Sequence, residues 1–194
     1  MPLNLNPKTT ALVLIDLQKG IAGRQLAPHS SASMIEKSAT LGHRCTEMGA
    51  TIVLVNVAFS ADDGDRLVAP VDAPMPSPPG GYPPDFSELV PEIAALQANV
   101  KITKRQWGAF HGTELDLQLR RRGIDTIILG GVATHIGVET TAREAWQHNY
   151  AVLIAEDACS SMGAHLHQFS VENIFPRIAR VRSTAEILAE LKPF

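Results

Sequence analysis

The sequence predicts an α/β sandwich built on a mostly parallel sheet, and three observations carry that expectation. Residues 10–17 (TALVLIDL), 51–58 (TIVLVNVA) and 125–131 (DTIILGG) are short, nearly continuous apolar runs. Runs of this kind suit strands buried on both faces, the usual condition of a parallel sheet. Segments of helical spacing separate them, and strand–helix–strand is the βαβ unit with its right-handed crossover. Chemically capable residues then stand at strand ends: Asp16, Lys104 and the turn around Gly137. Open sheets of this class bind ligands beyond the C-terminal strand ends, at a switch in strand order.

The totals agree with one globular domain over residues 1–194. A chain of 194 residues buries roughly 70% of the surface its unfolded form exposes, enough for a core without staples. Hydrophobic residues make up 45% and charged residues 19%, which is globular composition. A net charge of −3 without a long basic run argues against nucleic acid as a partner. No apolar run approaches the ~20 residues of a membrane helix. Cys45 and Cys159 form no metal-like or redox-like pattern and read as free thiols. The start, MPLNLNPKTT, lacks the features of a signal peptide. The expectation is a cytoplasmic protein.

The remaining elements follow in order. Residues 31–49 read as a helix, with Met34, Ile35, Leu41, Cys45 and Met48 near helical spacing and Gly49 as its stop. Residues 60–84 are rich in Pro, Gly and Asp and read as a long loop, either a lid, a disordered segment or a subunit contact. A short helix is expected near 86–97, started by Pro91, and a strand at 99–103. Thr113 is the expected N-cap of a helix closed by Gly123. Arg120, Arg121 and Arg122 fall in its last turn, where they favour the helix dipole. A helix over 137–148, a strand over 151–156 and a helix over 163–175 come next. Residues 177–183 (RIARVRS) alternate charge with apolar residues, as an edge strand does, and Ser183 caps a terminal helix. The count is about six strands.

Three segments together resemble the isochorismatase-like hydrolases, the superfamily that also contains nicotinamidases and other cysteine hydrolases. ALVLIDLQKG is similar to the family's opening strand, and Asp16 falls on its catalytic aspartate. KRQWGAFHGTELDLQLRRRGID resembles the middle motif, and Lys104 falls on its catalytic lysine. GGVATHIGVETTAREAW resembles the third motif, whose nucleophilic cysteine position is here Gly137. The resemblance implies a three-layer α/β/α sandwich around six parallel strands, and a non-proline cis peptide between Val132 and Ala133. It also implies an anion cradle of backbone N–H groups near Ala133 and Gly137, which a helix N-terminus would offer on physical grounds alone. Family members are commonly dimers or tetramers, so a homo-oligomer is expected.

Glycine at position 137 excludes a thioester from that position. Cys159 is expected to begin a loop after the fifth strand, and Cys45 to face a helix. Thr134, Thr140 and Thr141 carry hydroxyls without an evident base. A carboxyl and an amine without a nucleophile suit acid–base chemistry with water. The turn from Thr134 to Val138 (THIGV) also resembles that of the family's true isochorismatases, which hydrolyse a vinyl ether. The leading expectation is hydrolysis of a small anionic substrate by Asp16 as acid, with Lys104 holding Asp16 and the substrate's charge. The lysine lowers the pKa of its partner, so burial must outweigh it for the acid role. A catalytically degenerate binding or assembly module and a water-activating amide or ester hydrolase remain open alternatives.

Further substrate contacts are expected at Gln18, Trp107, Phe110 and His135, each with an ordinary structural alternative. Gln18 can be a hydrogen-bonded turn residue, Trp107 and Phe110 core packing, and His135 a partly buried turn residue. No cofactor is expected. No metal is expected either: the nicotinamidase ligand region reads SADDGDR without histidine, and His165 and His167, two residues apart, splay on a helix.

Overall fold

The computed structural model describes residues 3–75, 78 and 80–192; residues 76, 77 and 79 of the expected 60–84 loop lie outside the described residues. Six strands form one parallel sheet: β1 (Thr10–Ile15), β2 (Thr51–Val57), β3 (Val100–Lys104), β4 (Thr126–Val132), β5 (Ala151–Ser160) and β6 (Arg180–Arg182). Their order is β3-β2-β1-β4-β5-β6. The chain works outward from β1 to β3, then returns to the other side of β1 with β4. Strand order therefore switches between β1 and β4, and open sheets of this class take their ligands beyond the C-terminal strand ends at such a switch.

The apolar runs become central strands because helices cover both sheet faces. In β1, Leu12 and Leu14 join a core shared with helix α2 (Ser31–Met48), while Ala11, Val13 and Ile15 join the opposite core. That opposite core includes Leu115 and Leu119 of α4 (Leu115–Arg121) and Ala142 and Ala145 of α5 (Glu139–Gln147). Alternate residues face opposite layers, so every side chain of β1 is buried. Each fully buried leucine contributes roughly 1.5–3 kcal/mol. The three-layer α/β/α sandwich is the architecture observed. No helix among the described residues is long and apolar enough to cross a membrane.

Helix ends follow the local chemistry. Ser30 caps α2, and Gly49 ends it with φ +75°, a conformation that favours glycine. Ser183 and Glu186 form a reciprocal capping box on α8 (Thr184–Glu190). A short helix α1 (Lys19–Ala22), absent from the sequence expectation, follows β1.

Four expectations need correction. The helix expected over 86–97 contracts to α3 (Pro91–Ala94), because the chain from Phe86 to Val90 hydrogen-bonds with the segment after β1 instead. Thr113 bonds the N–H of Leu115, but Glu114 holds the cap position of α4. The helix expected over 163–175 divides into α6 (Ala164–Phe169), a π-helical turn (Ser170–Ile174) and α7 (Phe175–Ile178). Pro176 lacks an N–H and would crowd the carbonyl one turn back, which accounts for the interruption. Finally, Cys159 is not in a loop. β5 continues past its polar stretch, and Cys159 pairs with Gly131 inside the sheet.

Candidate active site

The end of β1 delivers Asp16 in a left-handed conformation, φ +53°, which non-glycine residues adopt sparingly. Its N–H bonds the carbonyl of Val55 at 2.9 Å, tying the turn to β2. Lys104 ends β3, and its Nζ donates to Oδ2 of Asp16 at 2.8 Å and to the carbonyl of Gln106 at 3.1 Å. Asp16 is 5% exposed and Lys104 2%. The other carboxyl oxygen, Oδ1, is buried and has no hydrogen-bond partner among the described residues. Burial drives the Asp16 pKa up to about 6, against the lowering effect of the Lys104 charge and hydrogen bond. Desolvation outweighs the ammonium in setting the direction of that shift.

The third member arrives from β4. Gly131 has φ +120°, and a Cβ there would lie 2.1 Å from the carbonyl oxygen of Ile15. Only glycine lets β4 approach β1 so closely at this point. The Val132–Ala133 peptide is cis. A π-helical turn, Thr134–Val138, then leads into α5. A Cβ on Gly137 would lie 3.3 Å from Oδ2 of Asp16, 3.1 Å from Cγ2 of Ile15 and 3.5 Å from the carbonyl oxygen of Trp107. Asp16, Lys104 and Gly137 therefore converge, beside the switch in strand order.

The other candidates differ in their surroundings. Gln18 is buried, and its amide is occupied: Nε2 donates to the carbonyls of Val57 and Phe86, and Oε1 accepts from the Val57 N–H. It clamps the end of β2 to the 86–90 segment. Phe110 belongs to the core, its ring 5.2 Å from that of His148 and 5.9 Å from that of Tyr150. Trp107 is 52% exposed and contributes its carbonyl beside Gly137. His135 is half-buried and bonds Ser161 through Nδ1, and desolvation lowers its pKa. Thr141 bonds the carbonyl of Gly137 at 2.7 Å and accepts from Ala109 N–H at 3.2 Å, so it braces the turn. Both cysteines are buried, and burial raises both thiols, Cys45 to about 12 and Cys159 further still.

A protein-family model described as "Isochorismatase domain" matches residues 10–186. The chain belongs to the isochorismatase family. It is 49% identical over 189 residues to the uncharacterized isochorismatase family protein YecD of Escherichia coli O157:H7, covering 97% of this chain and 100% of that protein. It is 45% identical to YwoC of Bacillus subtilis, also an uncharacterized isochorismatase family protein, over 98% of each chain. Among solved structures, an isochorismatase family protein from Burkholderia thailandensis superimposes with a TM-score of 0.90 at 40% identity, covering 96% of this chain and 97% of the other.

This family member carries a second polar cluster that the sequence did not reveal. His167 finds its partners away from its neighbour His165. Its Nε2 is 2.9 Å from Oε1 of Glu156, its Nδ1 is 2.9 Å from Oγ1 of Thr134, and His29 Nε2 lies 2.8 Å from the same Glu156 oxygen. The His167 hydrogen bond, then that of His29, holds the Glu156 pKa down to about 2 against its burial. Thr134 therefore has an imidazole partner after all. No spacing in the sequence points to it, because 33 residues separate Thr134 from His167 and 127 separate His29 from Glu156.

Proposed function

We propose that the protein hydrolyses a small anionic substrate by acid–base chemistry, with a vinyl ether of a carboxylic acid as the leading class. The observation that carries this is Asp16: a buried carboxyl raised to about 6, with one oxygen unpartnered, beside the side-chain-free Gly137. On this reading Gly137 occupies the nucleophile position, and substrate or water takes the space a thiol would fill. Protonated Asp16 transfers its proton to the terminal carbon of the enol ether. Water adds to the resulting oxocarbenium carbon and loses a proton to the carboxylate, and the hemiketal collapses to an alcohol and a 2-oxo acid. Lys104 keeps the carboxyl in place and balances the substrate's charge. A more distant relative, an isochorismatase of Bacillus subtilis, is 25% identical over 96% of this chain and 59% of its own length, which supports the substrate class.

A second reading has its own support. With a pKa of about 6, Asp16 is largely ionised at neutral pH and suits a base that activates water against an amide or ester. The ureidoacrylate amidohydrolase RutB of Cronobacter sakazakii, 27% identical over 96% of this chain, bears an amide-cleaving name.

A panel of isochorismate, nicotinamide and small carbamoyl and ester substrates, assayed from pH 5 to 8, separates the two. The acid role requires kcat/KM to fall as pH rises through about 6, and the base role requires it to rise. Either role requires Asp16→Asn to lose about 10²–10⁴-fold. Full turnover in both Asp16→Asn and Lys104→Ala would overturn the mechanism. No turnover at all, with Asp16→Ala at least as stable as the parent, would favour a degenerate binding module.

A further inference from the structure

We propose that His29, Glu156 and His167 form a binding site for a divalent first-row metal ion, with zinc the best match to the donor set. Two imidazole nitrogens and one carboxylate oxygen, all within 4.8 Å of one another, come from three separate segments. Two histidines and a glutamate are a recognised zinc donor set that leaves a fourth position open to water or a ligand.

Each donor is set in place by other contacts. Glu156 stands where the β4–β5 register breaks: Leu129 pairs with Ile154, but Gly131, two residues on, pairs with Cys159, five residues on. Such irregularities re-aim side chains. The His29 carbonyl accepts a hydrogen bond from Ser160 Oγ at 2.6 Å, and two backbone bonds between Ala27 and Ser161 anchor the strand-like segment before it. His167 is buried on α6 with Nδ1 against Thr134 Oγ1, which leaves Nε2 as the available donor. A partner on the second ring nitrogen is the usual way a ligating histidine is oriented. With the metal on Nε2, the His167 proton resides on Nδ1 and is donated to Thr134.

The fit requires a small expansion. The Nε2 atoms lie 2.8 and 2.9 Å from Oε1, as hydrogen bonds require. A tetrahedral ion with bonds of about 2.0–2.1 Å spaces its donors about 3.3 Å apart. The side chains of His29 and Glu156 are 27% and 29% exposed, so they have room to yield and the ion has a path of entry. This site is separate from the Asp16–Lys104 pair. It is joined to the candidate active site through Thr134, in the same π-helical turn as Gly137. A bound ion would hold that turn to α6 and β5.

The test uses the full chain, stripped with a chelator and titrated with Zn²⁺ by calorimetry and with Co²⁺ by visible absorption. The expected result is one ion per chain, a ligand-field spectrum of low-coordinate cobalt, and a Tm that rises with free metal. His29→Ala and Glu156→Gln should each weaken binding at least about tenfold, and Thr134→Val about tenfold through loss of the orienting contact. His165→Ala, at an exposed neighbouring histidine, should leave binding unchanged. Both His29 and Glu156 are partly exposed, so their variants serve even if His167→Ala fails to fold, and circular dichroism checks each one. Absence of stoichiometric binding, or binding retained in the His29→Ala/Glu156→Gln double variant, would overturn the proposal.

Discussion

Replacing Lys104 with methionine tests the electrostatics of the candidate site through stability, without a known substrate. In the parent protein, burial raises the Asp16 pKa from 3.8 to about 6. A carboxyl whose pKa is higher folded than unfolded favours folding most when protonated. Its contribution is greatest below 3.8, is lost as pH rises towards about 6, and is constant above that. Each pH unit of that interval costs about 1.4 kcal/mol. Lys104→Met removes both influences that lower the Asp16 pKa and leaves desolvation unopposed, so the folded pKa moves above 6. The loss then continues past the point where the parent is level. Between pH 6 and pH 8 the variant should lose up to about 3 kcal/mol that the parent keeps. Urea unfolding at pH 5, 6, 7 and 8 measures this: the two midpoints should draw closest at pH 5 and diverge as pH rises. Parallel curves for parent and variant from pH 6 to 8 would refute the claim that Asp16 is a desolvated carboxyl held down by Lys104.

Three further outcomes are expected. Gly137→Cys should place a thiol beside Asp16 and Lys104 that reacts with iodoacetamide at neutral pH much faster than Cys45 or Cys159, whose burial makes them internal controls; an equally slow thiol at 137 would argue against the arrangement. Gly131→Ala should destabilise by more than about 3 kcal/mol, because the new methyl meets the Ile15 carbonyl oxygen at 2.1 Å on a backbone of φ +120°; a near-parental Tm would contradict it. Gln18→Ala should cost roughly 2 kcal/mol by removing the side chain that bonds the Val57 N–H and carbonyl, while the Phe86 carbonyl keeps its bond from the Gly20 N–H. Amide exchange at Val57 should quicken in that variant, and unchanged protection there would show that Gln18 is not the clamp.

Local pattern and side-chain roles were not equally legible. The strands at 10–17 and 51–58 could be read because a strand covered on both faces must be apolar at nearly every position, and that is a property of consecutive residues. The capping box at Ser183 and Glu186 is likewise local. The interruption before Pro176 was a missed local signal, since a proline inside a helical pattern warns of one. Cys159 was misplaced for a different reason. The stretch before it reads polar, and only the pairing of β5 with β4 shows that the strand resumes.

By itself, the sequence determined the α/β alternation, the membership of the motifs in one family pattern, and the three positions Asp16, Lys104 and Gly137. These depend on residue type and on short-range order along the chain. The tertiary structure decided what those side chains experience. Asp16 and Lys104 are 88 residues apart, and their 2.8 Å contact and shared burial exist only after β1, β2 and β3 have assembled. The same assembly turns Gln18 into a clamp, places Phe110 in the core, and gathers His29, Glu156 and His167 around one carboxylate oxygen. Desolvation and donor geometry depend on distance in space, which sequence separation does not encode.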